Sequence, residues 1–407
     1  MSGIDEAPDA YLLEALAALV EEAFGSLRRT VQKNLAVLAC AYLRLLAAGR
    51  SGYGALTLAA LARMMPTPGT ARAREKRLHR FLDNPRLDPR GVTDGLVRVI
   101  VGQRGQGLWP VLFDQTKAGS TQALIAGVPC EGRSLPLALY TFDYPWQERA
   151  AKSQNQLEEV FLCDVESALP SGVRAVFIGD RGYARAALLR HSNALSRLYI
   201  VRGRVGTTVD VQGRCRKLGE LPARAKRPRR YRSVLYHGQQ RVPVDVVAYH
   251  DPSFEQPWWL LVPADCEALL PTQTVVDLYR QRMRVEQSFR DFKTHLGLRG
   301  LKLKVRIAPR LGRLLLAFTL AYALAVAVGG SDAAQPARKQ LECPRRQPRH
   351  GTCRTLSAFS VARLMLSHPQ WRRTAERCLY QMILRLTHGE ALLRAPPMAP
   401  IERLYAA

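Results

Sequence analysis

Acidic residues are scarce in this chain of 407 residues: 34 Asp and Glu stand against 60 Lys and Arg, a formal net charge of +26. A compact protein repels itself at that charge, which points to a polyanionic partner and excludes an acidic solvating chain. Lysine is scarce as well, at ten of the 60 cations. A GC-rich genome accounts for Arg over Lys, but not for the excess of cations over acids. Nucleic acid is therefore the favoured partner, ahead of an anionic membrane surface.

Paired cysteines are missing too. Eight cysteines, at 40, 130, 163, 215, 266, 343, 353 and 378, include no Cys-x-x-Cys. A chain of this size needs no disulfide staples, so a reducing, cytoplasmic setting is expected. Cys343, His350 and Cys353 match no standard zinc spacing and lack a fourth ligand. No basic-then-apolar leader is read at the N-terminus. The longest apolar run, Leu314 to Val328, is shorter than the ~20 residues of a membrane span. It reads as a buried helix, and no membrane partner is expected. There is no internal repeat. With 47% hydrophobic residues a core is easily built, and the length suits two to four structural units.

Residues 1–105 read as a helical, DNA-binding region. After two apolar helical stretches comes LAALARMM, the breaker PTPG, and Thr70 as N-cap of ARAREKRLHRFL. Two helices about a short turn, with Arg72, Arg74, Lys76, Arg77 and Arg80 on the second, fit a helix-turn-helix. A solvated basic surface helix fits equally well. Residues 106–203 change period: LWPVLFD, ALIAGV and SLPLALYTF are strand-like, then come a helix over 153–169, the strand AVFIGD, a helix, and the strand RLYIVRG. That order suits an α/β mixed sheet flanked by helices.

Residues 204–271 form a β-rich insertion. Between Arg202 and Arg241 there are twelve Lys or Arg against Asp210 and Glu220. A solvated charge run normally mixes signs, so DNA contact is the better reading. Residues 272–300 return to a helical pattern, as does the C-terminal region 301–407, in blocks at 305–328 and 356–387 joined by a Pro- and Arg-rich connector.

Two acids end apolar strands, Asp114 in VLFDQTK and Asp180 in VFIGDRGY. Singly, each is as readily a turn former. A third acid lies in TVVDLYRQRMRVEQSFRDFKTHLGL, read as one helix. At about 100° per residue, Tyr279, Arg282, Glu286 and Lys293 share an arc of roughly 60°. Leu278, Val285, Phe289, Phe292 and Leu296 form an apolar band beside it. Ordinary surface salt bridges produce the same pattern, so helical geometry alone does not decide.

The spacing Tyr279-x2-Arg282-x3-Glu286-x6-Lys293 resembles the Y-(2)-R-(3)-E-(6)-K signature of bacterial insertion-sequence transposases of the DDE superfamily. The DQT context of Asp114 and the GDRGY around Asp180 are similar to the same family, and the likeness spans roughly residues 105 to 300. The resemblance implies an RNase H-like catalytic core with a β-rich insertion and helical N- and C-terminal regions. It implies that Asp114, Asp180 and Glu286 hold two Mg2+ or Mn2+ ions, with Asp114 as the bridging ligand. Tyr279, Arg282 and Lys293, and more weakly Arg181, would contact phosphates near the cleaved end. Members of the family place a Trp of the insertion against a flipped base. Trp258 and Trp259 are the candidates here, although they lead into an apolar strand where a core role is simpler.

The implied partners are double-stranded DNA, as transposon end and target, and a second copy of the chain, at least a dimer, to synapse two ends. Another RNase H-like nuclease, such as a junction resolvase, and a domesticated transposase acting as a DNA-binding regulator are the alternatives. Whichever holds, DNA binding should weaken steeply with salt, with a log–log slope of about −0.9 per phosphate neutralised. A flat response in a filter-binding titration would rule out the basic insertion as a DNA surface.

Overall fold

The computed structural model describes residues 8–49, 57–118, 121–143, 153–294, 307–347, 353–393 and 395–396. Five helices open it: α1 (Pro8–Ala23), α2 (Arg29–Ala47), α3 (Leu58–Met64), α4 (Ala71–Leu82) and α5 (Pro89–Ile100). The Thr70 hydroxyl caps α4 by accepting the Ala73 N–H at 3.2 Å. Asp88 caps α5, and Pro89 follows in the first turn, where no N–H is needed.

The chain then enters the sheet. β1 (Gly107–Ala118), β2 (Thr121–Cys130) and β3 (Arg133–Asp143) form an antiparallel meander. Helix α6 (Gln154–Ala168), started by a Ser153–Gln156 capping box, leads to β4 (Val173–Gly179), which lies parallel to β1. Helix α7 (Ala186–Ala194) leads in turn to β5 (Leu198–Arg202), parallel to β4. Both parallel strands are apolar nearly throughout because both of their faces are covered. This order, β3-β2-β1-β4-β5 with helices against it, is an RNase H-like core.

The following strands extend the same sheet. They are β6 (Thr208–Val211), β7 (Arg214–Lys217), β8 (Arg229–Tyr236), β9 (Val242–Tyr249) and β10 (Trp258–Pro263). β10 pairs antiparallel with β5 at Leu260↔Arg202 and Leu261↔Val201, giving a ten-stranded sheet with β7 at its far edge. The Arg-Cys-Arg-Lys sequence of that edge discourages further strand pairing.

The stretch carrying Tyr279, Arg282 and Glu286 is not a single helix but α8 (Thr272–Arg280) and α9 (Met283–Thr294). Between them the backbone tightens to three-residue bonds, with Gln281 N–H to Leu278 C=O at 3.0 Å and Arg282 N–H to Tyr279 C=O at 3.0 Å. No Gly or Pro marks this break. Leu296, expected on the apolar band, lies outside the described residues.

Helices α10 (Ala308–Gly330), α11 (Gln335–Leu341), α12 (Ala358–Ser367) and α13 (Pro369–Thr387) complete the chain. α10 is long and apolar enough to cross a membrane by composition, yet most of it is buried, packed on β3 and against α2 and α12. Gly329 permits the α12 approach, since a Cβ there would lie 1.8 Å from the Ala358 carbonyl oxygen. Edge-on aromatic contacts link α9 to this layer: Phe292 to Tyr322 at 4.9 Å, Phe292 to Phe318 at 5.3 Å, and Tyr42 to Phe318 at 5.2 Å. His350, considered above beside Cys343 and Cys353, lies outside the described residues.

Candidate active site

The parallel pairing of β1 with β4 ends at Leu112↔Ile178. Asp114 and Asp180 each stand two residues beyond that pair. A two-residue step is one strand repeat, and the Asp180 charge reaches the Asp114 carboxyl. β4 has already ended at Gly179, while Asp180 keeps extended backbone (φ −79°, ψ 175°). Asp114 is not a strand-end residue, as its apolar run suggested. β1 continues to Ala118, held on its other side by β2 with Asp114 opposite Ile125. Each carboxylate accepts the next amide: Gln115 N–H to Asp114 Oδ1 at 2.8 Å, and Arg181 N–H to Asp180 Oδ1 at 2.6 Å.

Glu286 arrives from the first turn of α9, and Arg282 joins it to the strands. The Arg282 guanidinium donates to Asp114 Oδ2 at 3.2 Å and to Glu286 Oε1 at 2.5 Å. Burial pushes the Asp114 carboxyl up to about 6 against the pull of Arg282 and the Gln115 amide, and Asp180 and Glu286 push it the same way. Burial disfavours the Arg282 charge, but Tyr279, Glu286, Asp180 and Asp114 outweigh it and hold the guanidinium above its ordinary range. These mutual effects place all three acids within electrostatic reach of one cation.

Tyr279 ends α8 almost fully buried, its ring edge-on to Trp258 at 5.1 Å, and burial pushes its hydroxyl up to about 12. Trp258 and Trp259 are buried as well. Trp258 packs among Tyr249, Phe254 and Tyr279, and the Trp259 indole N–H donates to the Leu221 carbonyl at 3.0 Å. As packed, neither indole offers a face to a base, and the core role is the one the structure displays. Arg181 is exposed next to Asp180. Lys293, half-buried, lies two turns along α9 from Glu286, about 10 Å of helix rise.

The basic residues of α4 belong elsewhere in the fold. α4 packs on α3 and α10, neither of which bears a triad acid. Arg77 donates to Asn34 Oδ1 at 2.8 Å and Arg74 to the Arg63 carbonyl at 3.4 Å, so both help to dock the helix. Arg72, Lys76 and Arg80 are exposed.

Sequence reasoning missed two supports. Buried Asp291, on α9, takes Arg133 at 2.5 Å and the Tyr322 hydroxyl at 3.1 Å, while the Ser288 hydroxyl accepts the Ser134 N–H at 2.8 Å. These bonds fasten α9 to β3 and α10. Buried Glu158, on α6, holds Gln115 and Arg185. An acid on the sheet-facing side of a predicted helix is the only signal either residue leaves in the sequence.

Three carboxylates without nitrogen or sulfur donors suit a hard divalent cation such as Mg2+. Among the described residues, however, no three His, Cys, Asp or Glu side chains converge closely enough to hold a metal ion. Arg282 lies between Asp114 and Glu286 instead. The donor set therefore fits such an ion in kind, provided that Arg282 turns away.

Residues 155–324, under half of the chain, match the model of a family described as the transposase DDE domain, so this segment is similar to DDE-superfamily transposases. The match includes Asp180 and Glu286 and begins after Asp114. No curated protein matches the chain. Transposases of this family generally use divalent metals such as Mg2+ and act on DNA.

The GDRGY turn permits a steric test. A Cβ on Gly179 would come within 2.7 Å of the Phe113 ring and 3.2 Å of Tyr183, whereas one on Gly182 meets nothing within 4 Å. Gly179→Ala should destabilise the protein by about 1–3 kcal/mol through overpacking, and Gly182→Ala by less than about 0.5 kcal/mol. Urea unfolding of both variants checks the contrast, and equal losses would refute it.

Proposed function

We propose that this protein is the DNA transposase of a bacterial insertion sequence, acting on DNA in the cytoplasm. In this reading it binds the element's terminal repeats, cleaves at the ends and joins the freed 3'-hydroxyl to target DNA. The observation that carries the proposal is Arg282 bonded to both Asp114 and Glu286, with Asp180, two residues past the last β1–β4 pair, within electrostatic reach of the same guanidinium. Asp114, Asp180 and Glu286 would hold two Mg2+ or Mn2+ ions. Such ions would supply an activated water or 3'-hydroxyl and stabilisation of the leaving oxygen.

The chain's own groups account for the rest. Arg282 balances Asp114 and Glu286 in the arrangement described, and turns to a DNA phosphate once they are neutralised otherwise. Its planar fork suits either anion. Tyr279 backs Arg282 from the α8 side, Arg181 and Lys293 take flanking phosphates, and the exposed cations of β7 and the loop before β8 follow the duplex. The exposed Arg72, Lys76 and Arg80 of α4 offer a second DNA surface. Synapsis of two ends calls for at least two copies of the chain.

A strand-transfer assay with a pre-cleaved 3'-hydroxyl end distinguishes this reading from a junction resolvase or other nuclease of the same fold. Cleavage of a supercoiled donor plasmid distinguishes it from a regulator that only binds DNA. Glu286→Gln should reduce metal-dependent cleavage by at least about 100-fold and leave end binding within a few-fold in gel-shift titrations. Cleavage at the wild-type rate would remove Glu286 from the site.

The raised Asp114 carboxyl gives a pH test with a definite sign. Stability from a carboxyl raised above its unfolded value is fully present below that value, near 4, and is lost as pH rises through about 6. The metal-free protein is thus penalised above pH 6, and bound Mn2+ should relieve the penalty. Mn2+ should raise the unfolding temperature by several degrees at pH 7.5, and the increment should fade below pH 6. Asp114→Asn should abolish the increment, and a pH-independent increment would contradict the assignment.

A further inference from the structure

Glu158 is 1% exposed on α6, and an unpaired carboxylate at such depth is costly. Three donors serve it: Gln115 Nε2 at 2.7 Å, Gln154 Nε2 at 3.0 Å, and the Arg185 guanidinium. Two of these flank the candidate catalytic acids. Gln115 follows Asp114 in β1, and by strand alternation its side chain leaves the sheet on the opposite face. Its backbone N–H is the one that orients the Asp114 carboxylate. Arg185 closes the turn that starts at Asp180, lying over the Tyr183 ring at 5.8 Å, while that ring packs on Phe113 at 4.5 Å.

We infer that Glu158 is a positioning residue that ties together the two chain segments bearing Asp114 and Asp180. Pairing between β1 and β4 stops at Leu112↔Ile178, so beyond that level no backbone ladder sets their separation. Glu158 supplies the missing link from beneath the sheet, one oxygen on Gln115 and the other on Arg185. An acid is suited to the task, since it accepts at both oxygens and its charge is balanced by Arg185. Gln154 also donates to Gln115 Oε1 at 3.3 Å, which keeps the Gln115 amide turned toward Glu158. This inference rests on the metal-dependent transposase reading given above.

Purified full-length wild type, Glu158→Gln, Gln115→Ala and the double variant provide the test. Mn2+ affinity is measured by calorimetry, end binding by gel shift, and folding by thermal unfolding. Each single variant should weaken Mn2+ binding by about 10- to 100-fold, the usual cost of losing a partner behind a metal ligand. End binding should stay within about 2-fold. The double variant should be no worse than Glu158→Gln, because the two residues act through one bond. Gln115→Ala leaves no buried charge unpaired, so it remains informative if Glu158→Gln unfolds. Glu158→Asp should recover part of the affinity. Folded variants with wild-type Mn2+ affinity, or additive losses in the double variant, overturn the role of Glu158 alone. A wild type that binds no Mn2+ overturns the transposase reading and this inference together.

Discussion

The parallel register of β1 and β4 is the constraint on which the rest depends. Asp114 and Asp180 each follow its last pair, Leu112↔Ile178, by two residues. Neighbouring strands lie about 4.8 Å apart, so the register brings the two segments near one another, and past its end Glu158 bonds to Gln115 on one and to Arg185 on the other. Carboxylates so placed repel one another, and the fold answers with cations from two directions. Arg282 comes from the α8–α9 turn on one side, and Arg185 balances buried Glu158 beneath.

The remainder of the chain keeps that arrangement rigid. α9 delivers Glu286 from a helix fastened at its far end by Asp291, Arg133, Tyr322 and Ser288, and its Phe292 packs into the aromatic cluster of α10. The tightened turn at Gln281–Arg282 matters for the same reason. It separates Tyr279, packed on Trp258, from Glu286, and points the intervening guanidinium at the strands. In this light the β-rich segment is structural as well as basic. Its last strand joins β5, Trp258 packs beside Tyr279 while Trp259 is buried and bonds Leu221, and most of its cations are exposed, Arg230 being buried against Asp245.

Much of this was legible in the residue order. The strand–helix alternation from Gly107 to Arg202 follows from periodicity and breakers, and the Thr70 cap from residue type alone. The acids at 114, 180 and 286 stood out through motif spacing. What escaped was whatever depended on partners distant in sequence. Asp114 was read as the end of its strand because the apolar run stops there, whereas β2 carries β1 four residues further. One long helix is expected over residues 272–300 because no Gly or Pro stands at the break between Arg280 and Met283. Glu158 and Asp291 resemble any other helical acids until their partners 43 and 158 residues away are known.

By itself, then, the sequence determined the element types, the excess of positive charge and the identity of the candidate acids, since these follow from local propensity, composition and spacing. Only the tertiary structure decided which acids come within electrostatic reach of one another, that Arg282 sits between Asp114 and Glu286, and that the tryptophans face inward. Those outcomes depend on strand register and side-chain packing between segments separated along the chain, and no local pattern encodes them.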